Sequence, residues 1–275
     1  MKKKIKVIMF SILIVMAFVL TQIIASFIGS IFISAQFINS ALNPEEIQTE
    51  IAQTLSNNAT IISIFGNIIF LVLGILIYKI KKKKINEEIS LNQIYLKDLL
   101  IPVIAIVTYS ISFNLLINIL PIPASLLGNT TELGIASQSN LAFYILAILI
   151  IAPIVEEFAF RGIIMTKLRK EYSSIVAIMI SAILFGLIHL MTGSILIVLF
   201  AIIGGIIFGL SYEKTGTLFA PIIVHSIGNI CDMITNSILN LNTSIIYAII
   251  GVFIVIFITS FILLGKKKSK LIKDK

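Results

Sequence analysis

From Val7 through Pro44 the chain carries no charged side chain. A run of that kind leaves few folds open. Lipid offers no partners to backbone N–H and C=O groups, so a crossing segment must satisfy them internally, as a helix or a closed barrel. About 20 residues at 1.5 Å each suffice to cross ~30 Å of hydrocarbon. A cleavable targeting segment has an apolar core of only about 7–15 residues, so "MKKKIK" followed by this run predicts an uncleaved first helix. Comparable runs recur along all 275 residues, of which 58% are hydrophobic and 12% charged. Soluble domains are nearer a quarter charged. The expectation is an all-α polytopic transmembrane helical bundle with no separate soluble domain.

Eight spans are predicted, at about 7–34, 59–80, 99–120, 141–165, 174–192, 193–211, 216–235 and 244–264. Residues 1–98 then form two N-terminal helices with a basic loop, 99–265 a core, and 266–275 a basic tail. The connection 35–58 holds Glu45, Glu46 and Glu50 and is expected to be a separate surface helix.

The net charge of +8 fixes orientation rather than a nucleic-acid partner. Lys and Arg gather at 2–6, 79–84 with 97, 161–170, 214 and 266–275, beside apolar spans. Such runs anchor helices at an anionic cytoplasmic leaflet, and no aromatic stacking platform accompanies them. With both termini in the cytoplasm, the outer connections 35–58, 121–140, 192–193 and 236–243 contain no Lys or Arg. The partners expected are therefore the lipid bilayer and a membrane-embedded or membrane-associated peptide or protein substrate, with no nucleic acid. The location expected is a cell membrane, crossed many times. The abundance of Ile, Lys and Asn points to an A/T-rich bacterial genome. Cys231 is the one cysteine, which excludes an internal disulfide and a thiolate zinc cage.

Against this apolar background a few polar side chains need a reason. A charge at the centre of a bilayer costs from about 3 to more than 10 kcal/mol. Yet "APIVEEFAFRG" at 152–162 holds Glu156, Glu157 and Arg161, and both histidines, His189 and His225, lie within spans. Glu157 and Arg161 are spaced i, i+4 with the acid first, so they meet on one helix face. Glu156 lies about 100° around the helix and faces elsewhere. His225 and Asn229 share a face by the same i, i+4 rule. Phe185 sits one turn below His189 as a packing partner. Asp232 lies nearer the outer end, where water reaches it.

Each feature alone has a structural explanation. The Glu157–Arg161 pair locks helices, a lone histidine binds a carbonyl, and Asn229 glues helices at ~1 kcal/mol. Together they fit hydrolysis, which needs a base for water and donors for an oxyanion. Two histidines and a carboxylate are also a ligand set for a divalent metal with an open position. Other intramembrane hydrolases fit less well. There is no H-E-x-x-H, no second Asp in a span, and no Gly-x-Ser-Gly elbow.

Glu156-Glu157-x-x-x-Arg161, Phe185-x-x-x-His189 and His225-x-x-x-Asn229 resemble, in order and on separate spans, the three motifs of the CPBP intramembrane proteases. That family includes the type II CAAX prenyl endopeptidases and bacterial bacteriocin-processing, immunity and lysostaphin-resistance-like proteins. The surrounding "PIVEEFAFRG", "ILFGLIH" and "GIIFGLSYEKTGTLFAPIIVHSIGN" are similar too, over roughly residues 145–232. The resemblance implies an endopeptidase in which Glu156 activates water with His189. His225 and Asn229 would stabilise the oxyanion, and Glu157 and Arg161 would orient the site. It leaves two cofactor states open: no cofactor at all, or a divalent metal such as zinc on Glu156, His189 and His225. The implied tasks are peptide maturation, bacteriocin processing or self-immunity. The rival readings are a non-catalytic membrane scaffold and a proton-coupled transporter.

Overall fold

The structure, a computed structural model, describes residues 2–82, 84–127, 140–235 and 242–271. The expected outer connections 121–140 and 236–243, and the end of the basic tail, lie largely outside the described residues. Among the described residues, eight helices make up the bundle: α1 (Lys2–Ala35), α2 (Pro44–Ile80), α3 (Leu96–Ile119), α4 (Leu141–Leu168), α5 (Ser174–Thr192), α6 (Ile195–Thr215), α7 (Phe219–Thr235) and α8 (Thr243–Lys266). All but α7 are long and apolar enough to cross a membrane. At 17 residues, α7 covers only about 25 Å. Among the described residues there is no strand.

The expected surface helix before the second span is not a separate element. One 37-residue helix, α2, runs from Pro44 to Ile80. It starts on a reciprocal cap, with Glu46 N–H donating to Asn43 Oδ1 and Asn43 N–H donating to Glu46 Oε2, both at 3.0 Å. Pro44 holds the first helical position, where its missing N–H costs nothing. No proline or glycine follows until Gly66, so nothing in the sequence stops the helix at the membrane mouth. At the other extreme, α5 stops hard. Its last turn, His189–Thr192, tightens to 3-10 geometry, and Gly193 at φ 71° reverses the chain into α6.

Three helix pairs, α1 with α2, α5 with α6, and α3 with α8, surround α4 and α7. The outward faces are apolar, as a lipid solvent requires: Phe27 and Phe32 on α1 and Val255 on α8 are exposed. The inner faces lock closely. A Cβ on Gly186 of α5 would lie 2.3 Å from Ile202 Cγ1 and 2.9 Å from the Val198 carbonyl oxygen of α6. Gly186→Ala should therefore push α5 from α6 and cost about 1–3 kcal/mol, the usual range for overpacking, read as a lower thermal midpoint in detergent.

One end of the bundle gathers the basic segments. Lys4 lies over the Tyr172 ring at 5.3 Å, joining the N-terminus to the turn after α4. Arg169 in that turn makes two 3.0 Å bonds to the fully buried Glu213 at the end of α6. The segment after α8 folds back onto the same spot: Ser269 Oγ donates to Glu213 Oε1 at 2.7 Å, and Lys267 and Lys270 hold Asp98 at 2.5 and 2.8 Å. Both described ends of the chain therefore lie on one side, the side that charge asymmetry assigns to the cytoplasm.

Candidate active site

The helix that carries the glutamate pair is not a uniform α-helix. In α4 the backbone widens to π geometry at Ala147–Ile151, returns to α at Ala152–Glu157, and widens again at Phe158–Met165. Pro153 explains the first widening. It has no N–H, so the one donor for which the carbonyls four residues back (Leu149) and five back (Ile148) would compete is missing. Helix α7 supplies replacements. Ser226 Oγ donates to the Leu149 carbonyl and Asn229 Nδ2 to the Ile148 carbonyl, each at 2.8 Å.

One turn further along, α4 buries a full ion pair. Arg161 Nη1 donates to Glu157 Oε1 at 3.0 Å, with both side chains fully buried. Arg161 Nη2 donates to the Gly205 carbonyl of α6 at 2.7 Å, and the guanidinium lies 4.9 Å from the Phe185 ring centroid and 5.3 Å from that of Phe208. Charge, hydrogen bonds and ring faces offset part of the cost of its removal from water, while Arg161 Nε and Glu157 Oε2 stay buried with no hydrogen-bond partner. Gly205 permits this approach: a Cβ there would stand 3.2 Å from Arg161 Nη2 and 3.1 Å from Ala182 Cα.

His225 of α7 sits between the two glutamates. Its Nδ1 lies 3.0 Å from Glu157 Oε1, and its Nε2 lies 3.8 Å from Glu156 Oε2. An ionised carboxylate only accepts hydrogen bonds, so Nδ1 carries a proton toward Glu157 and Nε2 is the nitrogen that faces Glu156. Phe208 stacks on the imidazole at 4.5 Å and 18°, and Phe185 meets it edge-on at 5.7 Å. The ring has little freedom left. Glu156 differs from its neighbour in keeping 15% exposure, against none for Glu157.

Of the six residues picked out from the sequence, Glu156, Glu157, Arg161 and His225 come together in one cluster. His189 joins it through a shared ring rather than a hydrogen bond. Its Nδ1 lies 3.0 Å from the Phe185 carbonyl oxygen, and its ring meets Phe185 edge-on at 5.0 Å. Asn229 is engaged with the α4 backbone through Nδ2. Asp232 does more than face water: its Oδ1 accepts from Asn114 Nδ2 of α3 at 2.8 Å. Cys231 is a buried packing residue. Among the described residues no three His, Cys, Asp or Glu side chains group to hold a metal ion. The set Glu156, His189 and His225 does not close into a ligand cage.

Two contributors were missed from sequence. Phe208 forms one wall of the His225 and Arg161 pocket, and Gly205 accepts from the arginine. The signal was present as "GGIIFG" at 204–209, a small-residue face on α6 with one aromatic.

Two carboxylates and a histidine are thus held together within a multi-pass helical bundle. Residues 138–231 match the family model described as "Type II CAAX prenyl endopeptidase Rce1-like". That match supports a CPBP-type intramembrane protease domain, with the matched segment running from just before α4 to Cys231 in α7. No curated protein and no solved structure matches it.

Proposed function

We propose that the chain hydrolyses a peptide bond within the membrane, using Glu156 as general base and His225 as the donor to the oxyanion. The observation that carries this reading is the placement of His225, 3.0 Å from Glu157 on one nitrogen and 3.8 Å from Glu156 on the other. Glu156 takes a proton from water as its oxygen attacks the carbonyl carbon. The tetrahedral oxyanion accepts from His225 Nε2–H, and Glu156 then passes its proton to the leaving amine as the C–N bond breaks. With His225 doubly protonated, Glu156, Glu157, Arg161 and the imidazolium sum to zero charge, which suits a low-dielectric site. Glu157 and Arg161 hold the imidazole in place. His189 steadies Phe185, and the second N–H of the Asn229 amide is available to the oxyanion.

The substrate in this reading is a membrane-embedded or membrane-associated peptide, and the task is peptide maturation, bacteriocin processing or self-immunity in a bacterial cell membrane. The test uses purified full-length protein in detergent with a lipid-anchored peptide, wild type beside Glu156→Ala, His189→Ala and His225→Ala at matched amounts. Cleavage by wild type and loss in all three variants is the expected result. Equal cleavage by all four proteins would sink the assignment, and none by wild type would favour a scaffold.

A further inference from the structure

We infer that Ser226 is a positioning residue of this site: with Asn229 it docks on two adjacent α4 carbonyls, Leu149 and Ile148, where Pro153 removes one backbone donor, and so sets the register of α7 against α4. The inference about turnover rests on the hydrolytic reading above. The docking itself does not.

A serine within a membrane helix ordinarily returns its hydroxyl to the carbonyl four residues back, which carries no information about neighbours. Ser226 has that option, with the Ile222 carbonyl at 3.0 Å. It has one hydroxyl hydrogen, and the Leu149 carbonyl of α4 is closer, at 2.8 Å. Beside it, Asn229 Nδ2 reaches the Ile148 carbonyl at 2.8 Å. The two acceptors are adjacent in sequence, and Pro153 withholds the one N–H for which they would compete. The two donors are one turn apart on one face of α7. An unpaired carbonyl in an apolar interior costs more than the hydrogen bond that satisfies it, so this clamp has a defined register in which both acceptors are met.

The consequence reaches the catalytic pair through short covalent paths. Ser226 is bonded to His225, and Leu149 lies seven residues before Glu156 on the same helix. A slip of α7 along α4 would change the 3.8 Å separation of His225 Nε2 and Glu156 Oε2 directly. The π geometry at Ala147–Ile151 is the local cost of presenting both carbonyls to α7.

The experiment measures Ser226→Ala and Ser226→Thr, each in wild-type and Pro153→Ala backgrounds, in purified full-length protein. It reads the thermal midpoint in detergent, and kcat and KM on the lipid-anchored peptide. Loss of one hydrogen bond predicts a kcat about fivefold lower for Ser226→Ala at unchanged KM, with Ser226→Thr restoring it to within about twofold. Pro153→Ala returns a backbone donor, so Ser226→Ala should then cost less than about twofold, and its midpoint drop should shrink in step. Equal loss in both backgrounds, or no rescue by threonine, overturns the inference. If wild type cleaves nothing, the hydrolytic reading fails on its own. The midpoints still decide the clamp, since coupling between positions 153 and 226 supports it and strict additivity refutes it.

Discussion

Arg161→Met should lower stability by about 3–5 kcal/mol, the cost of breaking a buried pair by removing one partner. Methionine fills much of the arginine volume, so the loss is electrostatic rather than a cavity. Glu157 would remain fully buried with its cation gone, and the Gly205 carbonyl would lose its donor. Arg161→Lys should recover only part of this. An ammonium group cannot serve Glu157 and the Gly205 carbonyl in fork geometry while also keeping the contacts of the guanidinium with the Phe185 and Phe208 rings. The double variant Arg161→Met/Glu157→Gln should be more stable than Arg161→Met alone, because it removes the uncompensated charge. Thermal midpoints of the purified proteins in one detergent measure all three. A midpoint for Arg161→Met equal to wild type would mean that the pair is not buried as described.

The second large effect separates two adjacent acids. Glu156→Gln should lower the rate of peptide hydrolysis about 10²–10⁴-fold, the range for a general base. Its midpoint should hardly move, since Glu156 keeps some exposure and lies beyond hydrogen-bond distance from His225. Glu157→Gln should lose both activity and stability, because it leaves the buried Arg161 charge unpaired and offers the His225 Nδ1–H only a neutral amide oxygen. The contrast between the two variants is the informative result. Full activity in Glu156→Gln would remove the proposed base, and an unchanged midpoint in Glu157→Gln would remove the structural role assigned to its neighbour.

Much of this site was legible in the residues themselves. Charges and histidines within apolar spans identify themselves by cost, and the i, i+4 rule paired Glu157 with Arg161 correctly. What escaped has physical reasons. Helical spacing assumes 3.6 residues per turn, so it is blind to the two wide segments of α4 and to the carbonyls that Pro153 exposes. His225 and Asn229 share a face, as their spacing required. The two nonetheless reach different α4 partners, a carboxylate and a carbonyl, because Pro153 has altered the surface they meet. Helix α4 runs to Leu168, three residues beyond its expected end, and Phe185 lies between the two histidines, a placement that spacing along one helix does not show. Phe208 was invisible for another reason: an aromatic on an apolar helix declares its partner only once α6 has a neighbour. The length of α2 was misjudged because polar residues at a membrane mouth suggest a break, whereas the backbone ends only where its donors are lost.

The polar clasp at the basic end of the bundle has a bearing on biogenesis. Asp98 is neutralised by Lys267 and Lys270, and Glu213 gains a hydrogen bond from Ser269, all residues made only after α8. Until α8 is threaded and the segment after it emerges, two acids at the membrane boundary stand incompletely satisfied beside helices that are already inserted. The clasp thus closes only once the segment after α8 has folded back. A nascent chain arrested before residue 267 would expose Asp98 and leave Glu213 leaning on Arg169 alone, a state that membrane quality-control proteases are suited to remove.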